Sequence, residues 1–185
     1  TGPLTIMGGA FDPVHYGHLR TAWELRERLR LSELRFIPSA NPPHRPPHHA
    51  SGALRLQMLT AAVAGLIGCT VDDCELRRDG PSWSVLTLNE LRTEYPGRSL
   101  CMILGMDAFL GLPGWHRWEE IIGLTNLIVV HRPGWVPPST GALVRNWMQT
   151  RNGSRCVTGK PSLTQSERMT KRPARRSAPP QFSKS

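Results

Sequence analysis

The sequence predicts a doubly wound α/β domain built on a parallel sheet, and three observations carry that expectation. Short apolar runs alternate with helix-period patterns from residue 4 to residue 131. Several of those runs, notably 100–104 and 127–130, are apolar at nearly every position, as strands covered on both faces are. The first run passes straight into a glycine-rich turn at the start of a helical pattern, the arrangement found where such sheets bind ligands. Alternating β and α elements with right-handed crossovers give a parallel sheet with helices on both faces.

The elements follow in order. Residues 4–7 (Leu-Thr-Ile-Met) read as the first strand, and 17–31 as a helix with Leu19, Trp23 (or Ala22), Leu25 and Leu29 turned inward. Residues 34–38 form a second strand, followed by a proline-rich loop over 39–49. Ser51 is placed to cap the next helix, whose Leu54, Met58, Ala61, Ala62 and Leu66 recur at helical spacing. Residues 70–76 read as a strand, and 84–95 as a helix stopped by Pro96-Gly97. A buried strand over 99–104, a short helix over 118–123 and a last strand over 126–131 complete the pattern.

Composition bounds the reading. At 185 residues with 39% apolar content, one domain with a single α/β core is expected, here assigned to 1–158. No apolar run is long enough to span a bilayer, and the N-terminus carries no signal-peptide pattern. The absence of an initiator Met suggests a trimmed or incomplete start. Cys69, Cys74, Cys101 and Cys156 form no CxxC pair, which points to reduced thiols and a cytoplasmic setting. The net charge of +9 is unevenly placed: residues 151–185 hold nine Lys/Arg and one acid, Glu167, against fourteen Lys/Arg and thirteen acids in 1–150. A nucleic-acid reading would therefore concern the last 35 residues alone, and a basic tail is more often simply solvated. From about Gly159 the chain is rich in Ser, Pro, Arg and Lys without apolar periodicity, so 159–185 reads as an irregular or disordered tail.

Chemistry concentrates in Gly8-Gly9-Ala10-Phe11-Asp12-Pro13-Val14-His15-Tyr16-Gly17-His18. Glycines let backbone N–H groups approach a ligand closely, and a helix N-terminus adds free donors and partial positive charge. His15 and His18, three apart, share one face of the first turn. A polyphosphate suits this turn. Two other readings stand beside it: a zinc pair, for which no third ligand of suitable spacing is evident, and two ordinary surface histidines.

The string resembles the HxGH signature of the nucleotidyltransferases, and GGAFDPVHYGHL is similar to the bacterial nicotinate mononucleotide adenylyltransferases. The resemblance implies a Rossmann-like nucleotidyltransferase fold. It implies that Gly8, Gly9, Ala10, Phe11, His15 and His18 bind ATP, with both histidines stabilising charge on the transferring phosphate. Further matches follow in the order this family shows. Pro42-Pro43-His44-Arg45 matches PPH[RK], which makes Arg45 a phosphate clamp; a guanidinium fork suits that task, although proline-rich loops are usually plain solvated loops. Pro81-Ser82-Trp83-Ser84 matches PS[YW][TS], implying that Ser82, Trp83 and Ser84 meet the nicotinate carboxylate; the structural alternative is that Ser82 or Ser84 caps the helix. Gly105-Met106-Asp107 matches GxD, whose aspartate reaches the adenosine side, with capping of the next helix as the alternative. Trp115 stands where the family stacks an indole on the nicotinate ring, whereas Trp118 is assigned to the core. Arg132 falls in a family-like RPG and could equally be structural. Asp12 is placed on the nicotinate-nucleotide side, or as an orienting group for the loop or a histidine.

The resemblance covers residues 4–135 and then stops. The ISxTxxR string that the family carries near its C-terminus is absent. Back-translation of 176–184 from the third base of the Arg176 codon permits Ile-Ser-Ala-Thr-x-Ile, so the tail could be read out of frame; the coding DNA decides between that and coincidence.

The function implied is adenylyl transfer from ATP to nicotinate mononucleotide, with Mg²⁺ riding on the phosphates and no metal cage of protein side chains. Losing a charged phosphate contact predicts reduced turnover for this chain. Two alternatives remain: a relative with another acceptor, such as phosphopantetheine or a CTP-dependent substrate, and a weakened nucleotide-binding fold whose basic tail touches nucleic acid. A substrate panel separates the first, and tail deletion the second. The sequence sets no oligomeric state.

Overall fold

The structure, a computed structural model, describes residues 2–43 and 46–130. Five parallel strands lie in the order β3-β2-β1-β4-β5, where β1 is Leu4–Gly9, β2 Glu33–Pro38, β3 Cys69–Val71, β4 Leu100–Gly105 and β5 Asn126–Val130. The helices are α1 (Tyr16–Leu29), α2 (Gly52–Val63), α3 (Cys74–Arg77), α4 (Ser84–Glu94), α5 (Met106–Leu110) and α6 (Trp118–Leu124), with a 3₁₀ turn at Leu112–Gly114. The doubly wound expectation holds. The proposed tail at 159–185 lies outside the described residues.

Strand alternation sorts the core into two halves, one on each face of the sheet. Leu34 and Phe36 of β2 and Ile103 of β4 pack with Ala22 and Leu25 of α1 and Leu59 and Val63 of α2. Leu4, Ile6, Leu100, Met102 and Leu104 pack on the other side with Val85, Leu88 and Leu91 of α4 and Ile121 of α6. Each Val, Leu, Ile, Phe or Met among them, fully buried, contributes about 1.5–3 kcal/mol of hydrophobic stabilisation. Central β1 is paired on both edges, from Leu4 opposite Glu33 to Gly9 opposite Pro38 on one side, and with Leu4 opposite Leu100 on the other.

Three local expectations are corrected. Trp23 is 51% exposed, and the alternative, Ala22, fills the inward position. In α2 the buried stripe is Arg55, Leu59 and Val63, one residue out of step with the expected set; Leu54 is 48% exposed and Ala61 is also exposed. The apolar pattern misled because the stripe begins with a charged residue. The strand expected over 70–76 ends at Val71, and Cys74 to Arg77 turn into α3. There Asp72 Oδ1 accepts the Cys74 N–H at 3.0 Å, bending the chain out of the sheet. Ser51 caps α2 as expected, accepting the Leu54 N–H at 3.3 Å.

Candidate active site

The strand order reverses between β1 and β4: the chain moves from β1 outward to β2 and β3, then returns to β4 on the other side. Ligands of such sheets lie beyond the carboxyl ends of the strands at that reversal. Two predicted segments flank it, the Gly8–His18 stretch after β1 and Gly105–Asp107 after β4.

His15 is the N-cap of α1, in extended conformation, and His18 lies one turn on. Their rings stack at 3.7 Å between centroids and 22° between planes. The His15 backbone N–H donates to His18 Nδ1 at 3.3 Å. A ring nitrogen that accepts carries no proton, so this bond assigns the His18 proton to Nε2. Burial, and then the neighbouring His15, push the His18 pKa down to about 4. His18 is therefore neutral at pH 7, with Nε2–H as a donor.

The small residues in the motif have steric reasons. A Cβ on Gly17 would come within 3.0 Å of His15 Nδ1, so glycine makes room for the folded-back ring. A Cβ on Gly9 would meet the Phe11 ring at 3.1 Å, whereas one on Gly8 would stand in open space. Phe11 itself is 1% exposed, with φ +47°, and packs edge-on against His18 at 5.0 Å and against Phe36 at 5.8 Å. Its side chain is a wedge beneath the histidine, so only its backbone is left to face the crevice.

The loop after β2 is fastened to this stretch. Ser39 N–H donates to the Gly9 carbonyl at 2.9 Å. Asp12, joined to Pro13 by a cis peptide, accepts the His49 N–H at 2.5 Å and the Ala50 N–H at 3.1 Å, with His48 Nδ1 at 3.9 Å. Burial pushes the Asp12 carboxyl up, but those two amides and the flanking His49 and His48 outweigh it, and the net shift is downward. Both Asp12 oxygens are thus engaged by the loop, which favours its orienting role. Arg55, 1% exposed, reaches the same place from α2: one guanidinium nitrogen donates to the Ala10 carbonyl at 2.7 Å and another to the Ala50 carbonyl at 3.3 Å.

The other end of that loop meets the Pro81–Ser84 turn. Ser82 Oγ accepts the N–H groups of Ala40 at 2.8 Å and Asn41 at 3.0 Å, and the Ser82 N–H donates to the Asn41 carbonyl at 3.0 Å. The Ser82 hydroxyl also bonds to Glu75, which accepts from Thr87 Oγ1 at 2.7 Å. Burial raises the Glu75 carboxyl, with the Ser82 and Thr87 hydroxyls and Arg78 only partly offsetting it. Neither serine caps α4: the N-cap is Trp83, and Ser84 is the first helical residue. Capping fails because the Ser82 oxygen is already spent on the β2 loop.

Trp83 stacks on His116 at 3.6 Å and 26°, and its buried Nε1 has no hydrogen-bond partner. Trp115 is half-buried against the α4–α6 core, where Trp118 also packs as expected. Gly105 is the N-cap of α5, and exposed Asp107 lies in its first turn, so the capping alternative for Asp107 does not apply.

The structure therefore brings Asp12, and Ala10 through Arg55, to the His49–Ala50 end of the β2 loop, with Phe11, His15 and His18 in the same stretch. Gly8 and Gly9 lie beside the start of the loop, where the Gly9 carbonyl and Ser82 hold Ser39 to Asn41, and Trp83 and Trp115 pack in the core beyond Ser82. Arg45 and Arg132 lie outside the described residues. Sequence reasoning missed Arg55, Glu75 and His116. Arg55 had a readable signal, since it is the one charged residue in the twelve of α2. Glu75 and His116 had none, because only the tertiary fold brings them to Ser82 and Trp83.

Known proteins resemble this chain in sequence and in fold. The chain is 50% identical over 135 residues to a probable nicotinate-nucleotide adenylyltransferase of Aeromonas hydrophila, covering 73% of this chain and 63% of that protein. It is 52% identical over 131 residues to a protein of the same description from Halorhodospira halophila, covering 71% and 60%. The chain thus spans about three fifths of the length of these curated relatives. The Plasmodium falciparum nicotinic acid mononucleotide adenylyltransferase complexed with NaAD superposes with a TM-score of 0.71 at 15% identity, over 89% of this chain and 78% of that one, and so shares the fold. Residues 6–170 match the cytidylyltransferase-like family, and the chain, with its glycine turn and paired histidines at the strand reversal, belongs to that family.

Proposed function

We propose that this chain transfers the adenylyl group of ATP to nicotinate mononucleotide, releasing pyrophosphate and forming nicotinate adenine dinucleotide in NAD biosynthesis. The observation that carries the reading is the stacked His15–His18 pair at the glycine turn after β1, in a body half identical to probable nicotinate-nucleotide adenylyltransferases.

In the reaction an oxygen of the acceptor 5′-phosphate bonds to the α-phosphorus as the bond to the pyrophosphate oxygen breaks. The nucleophile is already anionic, so the protein's work is alignment and charge stabilisation. His18 Nε2–H and His15 donate to the triphosphate, backed by the amides of Gly8 to Phe11. Arg45 clamps phosphate oxygens, and Arg132 adds to the ATP side. Asp107 takes ribose hydroxyls at the end of β4. Ser82 has its hydroxyl committed, so the acceptor carboxylate is met instead by the N–H groups that open α4, at Ser84 and Val85, which have no carbonyl partner within the helix. Trp115 supplies an apolar face to the nicotinate ring. Mg²⁺ would be held by the oxygens of the triphosphate itself rather than by a cage of side chains. Bound there, it would supply positive charge to the leaving pyrophosphate. The reading places the chain in the cytoplasm, where ATP is abundant and half-buried thiols such as Cys69, Cys74 and Cys101 stay reduced. No helix among the described residues is long and apolar enough to cross a membrane.

The test is pyrophosphate release by this chain with Mg-ATP, comparing nicotinate mononucleotide with its amide. Acid-selective turnover, falling by about 10²–10³ in the H18A variant, is the expected result. Turnover with the amide alone, or an H18A variant as active as the parent, would sink the reading.

A further inference from the structure

Arg55 is the largest fully buried side chain of the described residues, and it is charged. Burying a guanidinium is unfavourable unless it gains strong partners, and a neutral side chain could fill this space at lower cost. Burial accordingly lowers the Arg55 pKa, with Asp12 the opposing influence. Its two acceptors belong to different segments: the Ala10 carbonyl in the glycine turn and the Ala50 carbonyl at the end of the proline-rich loop. Ala50 is held a second time, because its N–H donates to Asp12, two residues beyond Ala10. The contacts form a closed ring, running from Arg55 to Ala10, through Phe11 to Asp12, across to Ala50 and back to Arg55.

We infer that Arg55 is a positioning residue for the transfer site, fixing the glycine turn and the proline-rich loop to one another through this ring. The inference rests on the adenylyl-transfer reading above for its consequence in catalysis. Phe11 lies inside the ring at φ +47°, a conformation that bulky residues seldom adopt. Its ring supports His18 edge-on. Tension on the Ala10 carbonyl therefore reaches the catalytic imidazole through a single residue. On the other side, Ala50 ends the loop that carries Arg45. The buried cation also adds positive charge beneath a turn whose amides face an anion.

Two variants, R55M and R55K, test this in the full chain by amide hydrogen exchange, Mg-ATP affinity and kinetics. In R55M the His49 and Ala50 amides, which Asp12 holds, are expected to exchange at least about tenfold faster, while the Ala40 and Asn41 amides held by Ser82 and the amides of β4 keep their rates. Affinity for Mg-ATP weakens, and kcat falls on the order of 10²-fold because the reacting groups lose alignment. KM for nicotinate mononucleotide stays within about twofold, since its subsite lies at the other end of the loop. R55K, which keeps the charge and some of the donors, recovers part of the loss in every readout. The inference is overturned if R55M leaves exchange at His49 and Ala50 and the ATP affinity unchanged, or if exchange rises equally in β4 and β5, the mark of a merely structural residue. Should the parent chain show no turnover with nicotinate mononucleotide, the adenylyl-transfer reading fails, while exchange and ATP affinity still decide the role of Arg55.

Discussion

Of the two residues between the histidines, Tyr16 and Gly17, the second is small for a steric reason. The His15 ring folds back over the first turn of α1 and occupies the space a Cβ would take, at 3.0 Å. Both histidines were legible in the sequence, as was their shared face. Their stack, the His18 tautomer and the Phe11 support were not, because these depend on how the turn packs on β2 through Phe36. The His18 state has a measurable consequence. Its pKa falls from the ordinary 6.5 to about 4 on folding, so between those values the unfolded chain binds more protons. Stability therefore rises with pH through that window and is eroded as pH drops below about 6.5. A bound triphosphate reverses the balance by favouring the imidazolium. Mg-ATP binding near pH 5.5 is expected to take up protons, seen by calorimetry as a binding enthalpy that varies with the ionisation enthalpy of the buffer. An H18N variant is expected to lose that variation.

At the scale of elements, α2 and the Pro81–Ser84 turn show where pattern reading fails. Leu54, Met58, Ala61 and Ala62 share a helical spacing, yet the face that packs on the sheet is Arg55, Leu59 and Val63. Apolar periodicity assumes that the inward residues are apolar, and the buried Arg55 breaks that assumption. The serine turn was found as a feature, and of its two readings the structural one, a serine cap, does not apply. Ser82 instead carries the start of the β2 loop on its oxygen. An S82A variant leaves the Ala40 and Asn41 N–H groups without that acceptor and removes one of the hydroxyls bonded to Glu75. A loss of about 1 kcal/mol in unfolding free energy is expected by urea titration. KM for nicotinate mononucleotide should rise while KM for ATP changes little, because the loop is still fastened at its Asp12–Arg55 end. Equal effects on both substrates would show that the two ends of the loop do not act separately.

For the whole molecule, the doubly wound class and the placement of the glycine–histidine segment at the carboxyl end of β1 were legible from the alternation of elements alone. The strand order was not, since local periodicity does not say on which side of β1 the fourth strand pairs. Charge adds a prediction at this scale. The body is close to neutral, while residues 151–185 hold nine basic residues and one acid. Any duplex-DNA binding should therefore weaken steeply between about 50 and 200 mM salt and vanish in a chain ending at residue 150. Binding retained by the shortened chain, measured by fluorescence anisotropy, would move the basic surface onto the body. The reversal of strand order has one more effect, on synthesis. Leu4 pairs with Leu100, so when β1 to β3 have left the ribosome, the open edge of β1 still waits for a partner that lies nearly a hundred residues after Leu4 in the chain. The nascent chain has a glycine turn and both histidines long before it has a crevice, because the crevice needs β4 and the segment through Asp107.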